Sequence, residues 1–230
     1  MPSKVDRERI GPAPAGFPDD PHHRSPTAGA WDELQREIES CTRCPLHTTR
    51  THVVVYRGSR APRVVFIGEA PGAEEDRLGV PFVGRSGRCL DAALAQIGLS
   101  AEEFGILNLI KCRPPQNRFN VVAARTCRPY LDRQLALLKP AALVTLGARA
   151  LASVDPTAPR ILLCAGTPRH GLGRALFPLI HPAAALRSTR LAHRWDRDVQ
   201  RLEAWLSTLR SRVAREPLYA NAGSRGRAVR

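Results

Sequence analysis

Residues 63–72 read RVVFIGEAPG, and this stretch decides the fold. Arg63–Ile67 is an unbroken apolar run after its first residue, short and rich in β-branched and aromatic side chains, as a strand buried on both faces requires. Gly68 stops it. A Gly- and Pro-bearing turn follows, so the strand leads straight into a loop where backbone can approach a ligand closely.

Working outward, the same alternation recurs. A helical pattern covers Gly87–Ile97, with Leu90, Leu94 and Ile97 on one face. Ile106–Ile110 is the next strand and Val121–Leu138 the next helix. Ala142–Leu146 is a strand stopped by Gly147, with a short helix to about Val154. Ala175–Ile180 is a further strand. Leu191–Leu209 is a long final helix with Trp195, Val199, Leu202 and Leu206 on one side, and an earlier helix lies around Trp31–Ser40. Strands alternating with helices predict an α/β fold of three layers, α/β/α, with a central, mostly parallel sheet. In such folds ligands bind beyond the carboxyl ends of the strands. Gly68-Glu69, Asn108 and His181 all fall at or just past predicted strand ends, a physical reason to group them in one site.

The chain has 230 residues and 43% hydrophobic content, enough for one domain with a real core. Residues 1–26 hold six prolines and read as a disordered tail; 27–214 form the domain; 215–230 read as a basic tail. No apolar run is long enough to span a bilayer. The first ten residues are charged and show no secretory signal, so a cytoplasmic protein and no membrane partner are expected. The net charge is +14, half of it in the 45 residues from Leu186, and Gly105–Leu131 carries five basic residues and no acid. Such clustering favours a polyanion, because Lys and Arg gain affinity by releasing phosphate counterions. Charge alone does not separate DNA from RNA or an acidic membrane.

There are six cysteines. Cys89 and Cys164 lie in apolar patterns and read as core. Cys41 and Cys44 form a C-x2-C, and Cys112 and Cys127 make a second pair beside basic and proline residues. Four thiolates suit zinc or a [4Fe–4S] cluster, and spacing does not choose between them. Between the first strand and first core helix stand Glu69, Ala70, Glu74, Glu75, Asp76 and Phe82 in a Gly-rich loop. It lacks the Lys of a phosphate-binding P-loop.

Taken together, these segments resemble a known family. GEAPGAEEDRLGVPFVGRSG at 68–87, NLIKCRPPQNR at Asn108–Arg118 and HPAAALR at His181–Arg187 are similar, in this order, to the three motifs of the family 4, iron–sulfur uracil-DNA glycosylases. The likeness runs from about Cys41 to Trp205. It implies hydrolysis of the deoxyuridine N-glycosidic bond, a [4Fe–4S] cluster on Cys41, Cys44, Cys112 and Cys127, and a monomer acting on uracil-containing DNA.

The resemblance also implies roles. Phe82 would stack on a uracil flipped out of the helix. Asn108 would match uracil O4 and N3–H with its amide. His181 would donate to the departing base near O2. Glu69, and secondarily Glu75, would orient water or stabilise the sugar cation. Backbone N–H groups around Ala70–Gly72 would hold uracil or phosphate. Arg187 and Arg190, with Arg194, would form a phosphate-binding face. The chain departs from the family pattern at Phe119-Asn120-Val121-Val122 and at Ala165-Gly166. It has no added basic, histidine-bearing loop after the second motif, so turnover is expected rather than covalent trapping. Two other readings are a non-catalytic, cluster-bearing DNA-binding module of the same fold and a zinc protein that binds RNA.

Overall fold

The computed structural model describes residues 28–215. The two expected tails lie outside the described residues, apart from Arg215. In chain order the elements are α1 (Ala28–Glu39), β1 (Arg57–Gly58), β2 (Val64–Gly68), α2 (Ala73–Leu78), α3 (Arg85–Gln96), β3 (Phe104–Asn108), α4 (Val121–Leu138), β4 (Ala142–Leu146), α5 (Ala148–Val154), α6 (Ile161–Cys164), β5 (Arg169–Gly171), β6 (Arg174–Leu179), α7 (Pro182–Ala185) and α8 (Thr189–Arg215).

One six-stranded sheet has the order β1-β3-β2-β4-β6-β5. The four central strands run parallel, and β1 and β5 close the edges antiparallel. The fold class expected from the sequence is the one observed. The strand at residues 106–110 is an exception in register: β3 covers 104–108, so Leu109 and Ile110 continue as a buried segment past the sheet. Their amides bond to the carbonyls of Gly68 and Glu69 at 3.0 and 3.1 Å, which holds the two strand exits together. The edge strands β1 and β5 have two and three residues and carry too short a pattern to see in sequence.

The core lies on both faces of the sheet. Val64 and Phe66 of β2 face α3 and α8, where Leu90, Leu94, Trp195, Val199 and Leu202 are buried. Val65 and Ile67 face the other way, against Trp31 of α1, Leu131 and Leu135 of α4 and Leu151 of α5. Each such apolar side chain contributes roughly 1.5–3 kcal/mol by leaving water. Local signals set the helix ends. The Asn120 carboxamide accepts the Ala123 N–H at 2.8 Å and starts α4. Gly79, at φ 72°, ends α2 in the left-handed conformation. Cys164 is buried in the second core and Cys89 packs half-buried against the first. No helix among the described residues is long and apolar enough to cross a membrane.

Candidate active site and thiolate centre

From β2 the chain crosses to β3 on one side and later to β4 on the other, so the strand order reverses at β2. A cleft of about 630 Å³ opens beyond the carboxyl ends there. Glu69, Ala70, Glu75, Phe82, Asn108, His181 and Arg187 all line it. Arg190 does not line it; it is exposed on the first turn of α8.

Asn108 ends β3 and is 1% exposed. Its side-chain oxygen is buried and takes no hydrogen bond from the protein. Phe82 is buried at 5% exposure, at a left-handed φ of 54°, with its carbonyl held by Arg57 at 2.8 Å. Gly68 makes this pair possible: a Cβ there would run into Asn108 Oδ1 and the Phe82 ring. Opposite, the His181 ring centroid lies 5.9 Å from that of Phe82. Gly147, at φ 94°, lets His181 close in; a Cβ there would stand 3.1 Å from the His181 Cβ.

The His181 tautomer is set by its surroundings. Nδ1 accepts the Ala183 N–H at 3.1 Å, which leaves the ring proton on Nε2. Burial, and then the nearby Arg187, push its pKa down to about 4, while Glu75 opposes them weakly. The ring is therefore a neutral donor at physiological pH.

The acidic loop sorts into different jobs. Glu74 pairs with Arg77 at 2.8 Å on the surface. Asp76 turns inward and accepts the Thr51 N–H at 3.0 Å. Glu75 accepts three backbone N–H groups, from Gly72 and Val83 at 3.0 Å and from Gly84 at 2.8 Å. Its carboxylate thus ties the start of α2 to the segment after Phe82, and the Gly72 N–H expected to face a ligand is taken. Glu69 keeps its carboxylate open at the cleft. Burial raises its pKa, opposed by Arg149. Arg149 carries no sequence signal of a role. It stands two residues past Gly147, over the Phe119 ring at 4.9 Å, so Phe119, which breaks the family pattern, seats the cation that faces Glu69. Arg194 is drawn into the fold: it pairs with the fully buried Asp198 at 3.1 Å and donates to the carbonyls of Leu162 and Ala165. That bonding removes it from the expected phosphate-binding face.

Cys41 and Cys44 follow α1, Cys112 follows β3 and Cys127 lies in α4, and none of the four forms a disulfide. They share one neighbourhood, with Cys112 in the field of Cys127 and Cys44, and Cys127 in that of Cys44 and Cys41. Among the described residues no three His, Cys, Asp or Glu side chains converge as ligands of a single ion. Burial raises the Cys112 and Cys127 pKa values, and two neighbours oppose it. Arg50 Nη1 donates to Cys112 Sγ at 3.2 Å and to the Cys41 carbonyl at 2.7 Å. The Lys111 backbone N–H donates to Cys127. These donors suit anionic sulfur, so the set fits a group held by thiolates.

A parallel sheet with this cleft at its switch point defines a class. Residues 55–207 match the model of the uracil DNA glycosylase superfamily. The type-4 uracil-DNA glycosylase of Thermotoga maritima is 40% identical over 158 residues, 67% of this chain and 82% of the relative. That of Archaeoglobus fulgidus is 37% identical over 180 residues, 74% and 90% of the two chains. A type-5 enzyme from Mycobacterium tuberculosis is 30% identical over 184 residues, 65% of this chain and 67% of that one. The chain belongs to the type-4 uracil-DNA glycosylases.

Proposed function

We propose that this chain is a DNA repair hydrolase that removes uracil from DNA by breaking the N-glycosidic bond of deoxyuridine and leaves an abasic site. The observation that carries the reading is the Asn108 carboxamide oxygen, buried beside Phe82 without a partner. Uracil N3–H is the donor such an oxygen lacks, and uracil O4 can accept from the same amide. Cytosine would bring a bare N3 to that oxygen and leave both unpaired. A base must leave the stack to reach this depth, and the Phe82 ring offers it a face.

The chemistry then divides among three residues. As the bond from C1′ to N1 breaks, its electron pair stays on uracil and charge grows on O2. His181, neutral and protonated on Nε2, donates to that oxygen without first losing a proton. Glu69 faces the sugar side, where its negative charge stabilises the cationic sugar and orients the water that attacks C1′. Arg149 opposes the effect of burial on the Glu69 carboxyl. Glu75 acts on the loop, tying Gly72 to the segment that follows Phe82. Arg187 and Arg190 grip phosphates.

Cys41, Cys44, Cys112 and Cys127 would hold a [4Fe–4S] cluster, which would join α1, the exit of β3 and α4 into one unit. Such a cluster would be held by the cysteine thiolates, and thiolate binding would contribute directly to folding. The chain is proposed to act on DNA as a monomer.

The test is single-turnover incubation with a uracil-containing oligonucleotide, followed by alkali to cut abasic sites. Anaerobically purified protein is expected to hold four iron atoms and four sulfides per chain, the composition of the proposed cluster. Folded protein that binds the strand but never cuts it would leave only a DNA-binding module. One zinc without sulfide would overturn the cluster.

A further inference from the structure

Phe82 stands at φ 54°, a backbone conformation that a bulky residue seldom adopts. The peptide unit that follows it is held at both ends. Arg57 Nη1 donates to the Phe82 carbonyl at 2.8 Å, and the Glu75 carboxylate accepts the Val83 N–H at 3.0 Å. The plane of that peptide sets the ψ angle of Phe82, so its two partners fix how the side chain is aimed. Gly87 of α3 backs the same carbonyl, and a Cβ there would collide with it. Arg57 is itself held. Its guanidinium pairs with Asp91 of α3, and the short edge strand β1 sets it opposite Ile106 of β3. Neither Arg57 nor Asp91 lines the cleft.

We infer that Arg57 is a positioning residue for uracil recognition: from outside the cleft it latches the Phe82 carbonyl, with Asp91 orienting the latch, so that the ring is preset to receive a base. The inference rests on the reading of Phe82 as the face offered to uracil. A disfavoured backbone conformation persists only where the surroundings over-determine it. Without the guanidinium, the peptide after Phe82 is free to turn toward ordinary conformations and takes the ring with it. A preset ring has little freedom left to lose when the base arrives. Arg57 therefore acts on capture of the flipped base, and not on the grip on DNA.

A double-mutant cycle on the full chain, purified anaerobically, tests this. Arg57→Met keeps the length and loses the donor, Arg57→Lys keeps a donor and the charge, and Phe82→Ala removes the ring. Three quantities are measured: single-turnover excision at saturating enzyme, the concentration of free uracil that halves it, and affinity for uracil-free DNA. Arg57→Met should slow excision about 10-fold, near the lower end of what one base–aromatic stack contributes. The half-inhibiting concentration of uracil should rise by a similar factor, and affinity for uracil-free DNA should stay at the wild-type value. Arg57→Lys should recover part of both losses, and Asp91→Ala should fall between the wild type and Arg57→Met. In the Phe82→Ala background, Arg57→Met should change excision by less than about twofold, since a residue that acts only through the ring has nothing left to aim.

A purely structural arginine would not produce that pattern. A double variant that loses the product of the two single factors would make Arg57 a general support of the fold and overturn the inference. Wild-type excision by Arg57→Met beside a slow Phe82→Ala would overturn it while leaving the stacking role intact. Loss of affinity for uracil-free DNA would mark Arg57 as a phosphate contact and overturn it too, as would failure of both Arg57 variants to fold. Wild-type excision by Phe82→Ala would remove the stacking role and this inference with it. A wild-type chain that releases no uracil would overturn the proposed activity itself, and the inference with it.

Discussion

His181 and Asn108 line the same cleft, and the roles proposed for them differ, so their variants should fail differently. Loss of one positioned donor to developing charge slows a reaction about 10²–10³-fold. His181→Ala should show that drop in single-turnover excision with DNA affinity unchanged; excision at the wild-type rate by a folded, loaded variant would disprove the role. Asn108→Asp should also lose uracil excision, because it places a second acceptor opposite O4, and it should gain slight release of cytosine, whose amino group a carboxylate accepts. The ratio of the two bases released decides that point. The His181 ring also ties stability to pH. Its folded pKa of about 4 lies below the ordinary value, so the unfolded chain takes up a proton that the native one refuses. No effect arises above about pH 6.5, and stability then falls as the pH drops toward about 4, by roughly 3 kcal/mol in all. Urea unfolding at intermediate acid pH should show His181→Gln losing less than the wild type between the two limits; equal slopes would place the native pKa elsewhere.

At the level of elements, α2 and the loop around it show where sequence reading works and where it stops. The strand β2, the helix α4 and the strand β4 are legible because each carries an apolar period long enough to count, and Gly68 and Gly147 mark the strand ends. The acidic run from Glu74 to Asp76 is not divisible in sequence. Three adjacent carboxylates look alike, yet one pairs on the surface, one caps its own helix and one turns toward Thr51. Bonds to Val83 and Gly84, eight and nine residues away, decide which is which. Arg149 is silent in sequence for the same reason, since its partners Phe119 and Glu69 come from other parts of the chain. Glu75→Ala should therefore act on structure. Three charge-assisted backbone bonds disappear, and with each worth about 1.5–3 kcal/mol at most and only partly independent, a loss of some 3 kcal/mol is expected. The check is thermal unfolding beside the pH profile of excision. A lower midpoint with an unchanged profile fits a loop anchor, whereas a stable variant with a shifted acid limb would make Glu75 a group in the chemistry.

Across the whole molecule, positive charge and the cleft meet at the carboxyl end of the sheet. Arg187 lines the cleft and Arg190 follows on α8, while Arg194, one turn further along, is locked to Asp198. Replacing Arg187 and Arg190 together with Ala should weaken binding to every DNA sequence and lower the salt slope by about 2, one for each phosphate no longer neutralised. An unchanged slope would mean that both face only solvent. One wall of the cleft has a different character: at Gly68 it is main chain of a central strand, with Asn108 and Phe82 leaning where a side chain would stand. Evolution enlarges a pocket by trimming side chains, and at this wall nothing is left to trim. At Gly68 descendants of this enzyme cannot widen the cleft, and any side chain added there would displace Asn108 and Phe82. A lineage selected to release a bulkier base would keep Gly68 and change at Phe82 or Asn108, giving up the grip on uracil proposed for them as it did so.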